Sequence, residues 1–212
     1  MGIYVFHRDA LVELLRGDGD DFGRHLLPTA AKKIPTYGYL YNDYWVDIGT
    51  IQSFYEANMT FLRGERCLDV YDEANPIYTH PQHVPSPFVR GTYIERSVIG
   101  QGAIVEAKTI IRSVVGLRAV IHPDCVIEES VIMGNHTYRP HLQESLPLPK
   151  EFSIGRGSHI RRAIIDEQTK IGQGVKLLNL EGRETFDGRG IYIRDGIIIV
   201  PTGSEIPDGF TL

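Results

Sequence analysis

The sequence predicts a parallel β-helix of hexapeptide repeats, preceded by about 65 residues of mixed α/β character. Three observations carry this. First, one phrase recurs: Arg96-Ser97-Val98-Ile99-Gly100, Arg112-Ser113-Val114-Val115-Gly116, Glu129-Ser130-Val131-Ile132 and Arg162-Ala163-Ile164-Ile165-Asp166. The copies begin sixteen, seventeen and thirty-three residues apart, the last gap being about two repeats. Second, a branched aliphatic returns every five or six residues, at Ile94, Ile99, Val105, Ile110, Val115, Ile121, Ile127 and Ile132, then at Ile154, Ile160, Ile165 and Ile171. That period fits neither an amphipathic helix nor an alternating strand. It fits a triangular coil whose three sides together take roughly sixteen to eighteen residues. Third, glycine follows the aliphatic where the chain should turn, as in Ile99-Gly100, Val115-Gly116, Ile154-Gly155 and Ile171-Gly172. A tight corner wants positive φ or no Cβ. An antiparallel β-sandwich also has regular turns, but it has no reason to repeat a phrase in fixed register. The repeat stacks Arg112 on Glu129 as a cross-strand ion pair and sends Arg96, beneath another arginine, toward solvent.

Composition narrows the class. The 212 residues are 42% hydrophobic and 23% charged, ordinary for a globular protein of one or two domains. A net charge of −5 and a pI near 5.9 give no electrostatic footprint for nucleic acid. No apolar run approaches the ~20 residues that span a bilayer. The N-terminus lacks the basic and apolar regions of a signal peptide. Two cysteines, Cys67 and Cys125, make no disulfide framework, and the expected compartment is a reducing cytoplasm. Cys125 falls within a coil and reads as a small core residue.

Along the chain, Gly2 to Phe6 reads as a buried strand. Asp9 is placed to cap a helix bearing Leu11, Leu14 and Leu15 on one face, ended by Gly17-Asp18-Gly19. Asp21-Phe22-Gly23 opens a second short helix limited by Pro28. Thr36 to Tyr41 reads as a second strand. Thr50 caps a helix with Ile51, Phe54, Tyr55 and Leu62 on one side. Two strands make a poor sheet, so residues 1–65 read as the end of a larger α/β domain. Residues 66–87, with Pro76, Pro81, Pro85 and Pro87, form a linker. The β-helix takes residues 88–212, with coils over about 88–134, 153–178 and 191–210. Two insertions interrupt it: one near 135–152 containing Pro140, Pro147 and Pro149, the other near 179–190, polar and glycine-rich.

Several phrases stand in the order of one family: Met1-Gly2-Ile3-Tyr4-Val5-Phe6, Asp21-Phe22-Gly23, Tyr44-Trp45-Val46-Asp47-Ile48-Gly49-Thr50, Pro76-Ile77-Tyr78-Thr79, Ser113-Val114-Val115-Gly116-Leu117-Arg118 and Tyr192-Ile193-Arg194-Asp195-Gly196-Ile197. Over nearly its whole length the chain resembles the C-terminal half of glucose-1-phosphate adenylyltransferase, also called ADP-glucose pyrophosphorylase. The resemblance implies a Rossmann-like nucleotidyltransferase domain followed by a left-handed β-helix. It implies formation of ADP-glucose and pyrophosphate from ATP and glucose 1-phosphate, for glycogen or starch. It further implies Mg2+, control by an anionic metabolite effector, and a homo-oligomer, tetrameric in the family. The family's Gly-rich nucleotide loop and its Glu-Lys-Pro phrase have no counterpart in these 212 residues. The expectation is therefore a fragment, a truncated gene product or one piece of a split enzyme.

The resemblance also assigns residues. Asp47 matches the family's second metal aspartate; read alone, a carboxylate just before a helix also satisfies the helix dipole. Tyr4, Asp21, Phe22 and Trp45 match positions around glucose 1-phosphate. Core packing for Tyr4 and Trp45 and helix capping for Asp21 are the plainer readings of the same residues. Arg118 matches an effector-binding arginine, and Arg156, Arg161 and Arg162 extend the basic set, together with Arg112 and His159. Guanidinium suits phosphate by its fork of donors, while a solvated charged face explains the same residues without a ligand. Leu180 and Thr202 stand where plant and cyanobacterial members carry activator-site lysines, which argues against a plant-like response to 3-phosphoglycerate. His136 with His141, and His80 with His83, lack a third ligand at metal-site spacing.

Two other readings remain at this point. One is a non-catalytic regulatory or assembly subunit built on the β-helix. The other is a hexapeptide-repeat acyltransferase with His122 as its base, which leaves the segment before Thr50 without a role.

Overall fold

The computed structural model describes residues 2–17, 19–63, 69–138, 151–188 and 190–212. Cys67, His141, Pro140, Pro147, Pro149 and most of the first insertion lie outside the described residues. The chain forms two compact units, Met1–Asp43 and Tyr44–Leu212.

The first unit is helical. It holds α1 (Arg8–Leu14), a π-helical turn (Phe22–Leu26) and α2 (Leu27–Lys33). Leu14, Leu26 and Ala30 make its small core, with Phe6 and Ile34 packed against them. Asp21 caps the π-helical turn, its Oδ1 accepting from the Arg24 amide at 2.7 Å. Three expectations fail here. The two predicted strands, Gly2 to Phe6 and Thr36 to Tyr41, are not strands; Val5 is 98% and Tyr39 90% exposed. Apolar residues do not make a strand unless a neighbouring strand takes their amides and carbonyls, and among the described residues this unit contains none. Asp9 is not the cap of α1. His7 occupies that position and Asp9 lies in the first turn, where a carboxylate favours the dipole instead. Pro28 does not stop a helix. It sits in the first turn of α2, which follows directly on the π-helical turn, so the helical run passes through it.

The second unit opens with α3 (Ile51–Leu62). Thr50 and Ser53 form a reciprocal capping box: Thr50 Oγ1 accepts from the Ser53 amide and Ser53 Oγ from the Thr50 amide, both at 3.1 Å. The β-helix follows. Its first coil is β1 (Phe88–Val89), β2 (Tyr93–Glu95) and β3 (Val98–Ile99); its second is β4 (Ile104–Val105), β5 (Thr109–Ile111) and β6 (Val114–Leu117). The third is β7 (Val120–Ile121), β8 (Val126–Glu128) and β9 (Val131–Gly134), and the fourth β10 (Ser153–Ile154), β11 (His159–Arg161) and β12 (Ala163–Ile165). Then come β13 (Lys170–Ile171), β14 (Lys176–Leu177), β15 (Thr185–Gly188), β16 (Ile191–Arg194), β17 (Ile197–Val200) and β18 (Glu205–Ile206). Strands three apart pair in parallel, so each side of the prism is one sheet. Sheet 1 runs β1-β4-β7-β10-β13-β18, sheet 2 runs β2-β5-β8-β11-β14, and sheet 3 contains β3-β6-β9-β12-β17. The predicted register holds. Val105, Ile121, Ile154, Ile171 and Ile206 stack in sheet 1, and Ile110, Ile127, Ile160 and Leu177 in sheet 2. In sheet 3, Val115 stacks on Ile132 and Ile132 on Ile165. These form the buried core. The architecture is a left-handed parallel β-helix.

The second insertion departs from the coil. β15 and β16 are antiparallel, and β16 is antiparallel to β17. Residues 191–194 therefore extend sheet 3 as a hairpin arm, and stacking resumes only at Ile197. The turn is Asp195-Gly196, both at positive φ (54° and 70°), the conformation a two-residue hairpin loop requires.

The corners are built in two ways. Between sheets 2 and 3, Arg96, Arg112, Glu129, Arg162 and Asn179 stand in successive coils at φ 44° to 51°. Left-handed backbone at a non-glycine residue costs about 1–2 kcal/mol, least for Asn. A serine column secures this corner: the Ser113 amide donates to Ser97 Oγ and the Ser130 amide to Ser113 Oγ, both at 3.1 Å, and the Ala163 amide to Ser130 Oγ at 3.2 Å. Arg112 Nε and Nη2 both donate to Glu129 Oε1, at 3.1 and 2.6 Å, as the repeat predicts. The glycines after the aliphatics do not have positive φ. They are required because coils approach closely: a Cβ on Gly155 would lie 2.5 Å from the Gly172 carbonyl carbon, and one on Gly100 2.7 Å from that of Gly116.

Sheet 3 is buried on both faces. Its outer residues Val131, Ile164 and Ile197 pack against Tyr55 and Met59 of α3, with Phe54, Leu62, Val114 and Met133 at the margin. Two-sided burial explains why three of the four copies of the phrase, those with Val114, Val131 and Ile164, carry two consecutive aliphatics, one for the core and one for the helix; Val98, in the first copy, is exposed. Burying a side chain of this size contributes roughly 1.5–3 kcal/mol. The Tyr55 hydroxyl donates to the Glu129 carbonyl at 2.7 Å, tying α3 to the corner.

Two outcomes follow from this packing. Gly155→Ala should lower stability by about 1–3 kcal/mol through overpacking. Gly157→Ala, at φ 72° with nothing within 4 Å, should cost only the conformational term of about 1 kcal/mol. Denaturant midpoints check the order; equal losses would mean the coils can spread. The second outcome concerns Tyr55. Burial chiefly, opposed by Arg162 and helped by Glu129 and Glu56, pushes its pKa up to about 12. The unfolded chain releases this proton near the ordinary value of about 10. Stability should therefore be intact below about pH 10 and fall as pH rises toward 12. Tyr55→Phe should cost about 1 kcal/mol at neutral pH and flatten that decline. An unchanged slope in the variant would show that Tyr55 is not its source.

Candidate functional site

The residues assigned to sugar phosphate and metal fall in both units. In the first, Tyr4 and Phe22 stack with ring centroids 6.2 Å apart at 6°, and Phe6 meets Phe22 at 6.1 Å and 59°. Asp21 adjoins Phe22 at the start of the π-helical turn. One of its oxygens is engaged by the Arg24 amide, so the plainer capping role is present, and the carboxylate is exposed. The first unit thus gathers an aromatic pair and a carboxylate, chemistry suited to a sugar face and its hydroxyls.

In the second unit, Trp45 and Asp47 lie on the segment leading into α3. Trp45 is 51% exposed. Asp47 Oδ1 accepts from the Gly49 amide at 3.2 Å, a short side-chain turn that fixes the carboxylate two residues before the capping box. Because α3 is packed on sheet 3, this segment is anchored at its C-terminal end to the β-helix. Asp47 is exposed. Among the described residues no three His, Cys, Asp or Glu side chains gather as a metal site. One hard oxygen ligand fits Mg2+, which takes one or two carboxylates and completes its shell with water and phosphate oxygens.

The basic residues assigned to an effector do not form one patch. Arg118 stands at the corner between sheets 3 and 1, at φ 52°. Among the described residues its guanidinium reaches two neutral acceptors, the Asn135 carbonyl and Gln82 Oε1, each at 3.5 Å. Arg156 lies between sheets 1 and 2 and is paired with Asp124 at 2.8 Å. Arg161 ends β11 and is exposed; Arg162, the next residue, turns the corner toward sheet 3. His159, in β11, pairs with Glu128 at 3.0 Å. Leu180 is exposed in the second insertion, and Thr202 Oγ1 donates to Asp166 Oδ2 at 2.5 Å. Cys125 is fully buried, its Sγ 3.1 Å from the Gly155 carbonyl, and burial raises its pKa, so it is a packing residue.

One feature escaped the sequence reading. The sheet 2–sheet 3 corner, α3 and Arg63 together enclose a cleft of about 180 Å³ lined by Arg63, Arg96, Arg112 and Arg162 with Tyr55. The signal was present: arginine opens three of the four copies of the phrase. What the repeat did not reveal is that a helix covers the neighbouring face.

Comparison with known families gives two matches in chain order. Residues 1–64 match the nucleotidyl transferase family, and residues 82–211 match the GLGC left-handed parallel β-helix domain. The first match includes α3, which packs with the β-helix, so one helix is shared by the two by sequence and by contact. The chain belongs to the family of the GLGC left-handed parallel β-helix domain, and its two matched domains are the pair typical of glucose-1-phosphate adenylyltransferase.

Proposed function

We propose that this chain carries the sugar-phosphate and metal side of a glucose-1-phosphate adenylyltransferase. It works with the Gly-rich nucleotide part of that enzyme to form ADP-glucose and pyrophosphate from ATP and glucose 1-phosphate, in a cytoplasmic route to glycogen or starch. The observation that carries this reading is the ordered pair of family matches on one chain, with Asp47 fixed immediately before α3. By family likeness, Tyr4 and Phe22 in the first unit and Trp45 in the second are assigned as apolar contacts for the glucose, and Asp21 as an acceptor from its hydroxyls. Asp47 supplies a carboxylate oxygen to Mg2+, and magnesium held there would neutralise charge on the reacting phosphates. Arg118, whose guanidinium reaches neutral acceptors among the described residues, is the contact for an anionic effector, with Arg156, Arg161 and Arg162 at neighbouring corners. The first coil exposes Phe88 (54%) and Tyr93 (59%), apolar surface suited to a homo-oligomer, a tetramer by family likeness. Among the described residues no helix is long and apolar enough to cross a membrane.

A non-catalytic regulatory or assembly subunit is the second reading. It is favoured by the absence, among the described residues, of any group of three His, Cys, Asp or Glu side chains that could hold a metal ion. One experiment separates the two. The 212-residue chain alone should release no pyrophosphate from ATP and glucose 1-phosphate. Adding the nucleotide-loop half, as one polypeptide or as a complementing fragment, should restore release. Asp47→Ala should then reduce it by roughly 10²–10³-fold, the scale of losing one charge-stabilising group. Light scattering on the same preparation should give a multimer. Restored activity indifferent to Asp47→Ala would remove the catalytic reading. Release by the chain alone, lost in Asp47→Ala, would mean that it holds a nucleotide site of its own.

A further inference from the structure

Asp47 belongs to the second unit but stands on its surface. Residues 43–52 are all exposed, and Ser53 and Phe54 are half-buried. Tyr55, 3% exposed, is the first buried side chain after Asp47. The capping box joins the two. Thr50 and Ser53 each accept from the other's amide, and Asp47 accepts from the Gly49 amide one residue before the cap. The segment and the first turn of α3 are therefore one piece. From Ile51 to Tyr55 the helix rises roughly 6 Å, about one turn. What holds Tyr55 thus holds the base on which Asp47 stands.

Tyr55 is held by two successive corners. Its hydroxyl donates to the Glu129 carbonyl at 2.7 Å. Glu129 turns the corner of the third coil at φ 47°, and Arg112 grips its carboxylate through both Nε and Nη2. Arg162 turns the corner of the fourth coil at φ 51° and lies over the Tyr55 ring, 5.4 Å from its centroid. It also donates to the Asp195 carbonyl of the hairpin turn at 3.3 Å. By contrast, Met59, Phe54 and Leu62 meet sheet 3 through apolar contacts. Apolar burial is non-directional and scales with area. It presses a helix onto a sheet without fixing how the helix is turned there. A hydrogen bond weakens steeply away from its preferred angle, so the Tyr55 hydroxyl supplies the missing direction.

We propose that Tyr55 is a positioning residue for Asp47. This role rests on the reading of Asp47 as a magnesium ligand. The bond to the Glu129 carbonyl sets the rotation of α3 on sheet 3, and the capping box carries that setting to the carboxylate. Arg112, Glu129 and Arg162 act on Asp47 through Tyr55. Removing the hydroxyl leaves the ring buried and α3 docked, but the helix then takes more than one rotation. The carboxylate is spread over several positions, and misplacement of a reacting group by about 1 Å is enough to slow a reaction.

Trp45 is the one tryptophan of the chain and stands two residues before Asp47, so its fluorescence reports on this segment. Time-resolved anisotropy of the intact chain is the first measurement. Tyr55→Phe should enlarge the fast, local part of the Trp45 decay. Thr50→Val, which cuts the link at the cap, should do the same. Ile110→Val trims the β-helix core in sheet 2 at a comparable loss of stability and should leave the decay unchanged. The second measurement is the magnesium dependence of pyrophosphate release after the nucleotide-loop half is added. Tyr55→Phe should raise the half-saturating magnesium concentration roughly fivefold, the loss of one net hydrogen bond, and Ile110→Val should not shift it. A Trp45 decay in Tyr55→Phe that matches the unaltered chain would overturn the proposal, as would an equal change in Ile110→Val. So would an unshifted magnesium requirement in Tyr55→Phe while Asp47→Ala abolishes release. Release indifferent to Asp47→Ala would instead remove the catalytic reading of Asp47, and the positioning role with it.

Discussion

The packing of α3 on the outer face of sheet 3 is the contact on which the rest of the second unit depends. A β-helix needs only its inward column to close. Here one of its three sides is apolar on both faces, and that side must be covered. Tyr55 and Met59 cover it, and the Tyr55 hydroxyl fastens the helix to the Glu129 carbonyl. The capping box at Thr50 then fixes the start of the helix, and the Asp47–Gly49 turn stands directly before it. A catalytic candidate is thus positioned by a chain of contacts that ends in the β-helix core.

The same contact explains how two family domains share one chain without a clean seam. By likeness α3 belongs to the nucleotidyl transferase match, and by burial it belongs with the β-helix. Its loss would expose Val131, Ile164 and Ile197 and would release the segment carrying Trp45 and Asp47. The serine column reinforces this side in particular, since it runs down the corner where sheet 3 begins. Structural stiffness and the arginine-lined cleft occupy the same edge of the prism.

The repeat was the most legible part of the sequence, because a solenoid writes its register directly into residue spacing. The inward column and the Arg112–Glu129 pair follow from that spacing alone. The strand readings of Gly2 to Phe6 and Thr36 to Tyr41 failed for a physical reason. Periodicity reports which residues prefer burial, and strand formation also needs hydrogen-bonding partners that local sequence does not record. The hairpin arm at 191–194 was missed because Ile191 and Ile193 suit a parallel coil and an antiparallel strand equally, and only Asp195-Gly196 marks the difference. Near the candidate site, the Thr50 cap was readable from local motifs, whereas the role of Asp47 came from the family resemblance alone. The cleft was not readable, since it arises where a helix distant in sequence meets a corner built one arginine per coil.

Hydrogen exchange on the intact chain tests the central claim most directly. If α3 is part of the β-helix, the amides of Tyr55 to Leu62 should exchange together with those of β6, β9 and β12, and Tyr55→Phe should speed them. Peptides covering residues 36–43 of the other unit should exchange much faster. Exchange of α3 at the rate of residues 36–43, while sheet 3 stays protected, would show that the helix opens independently and would contradict the account.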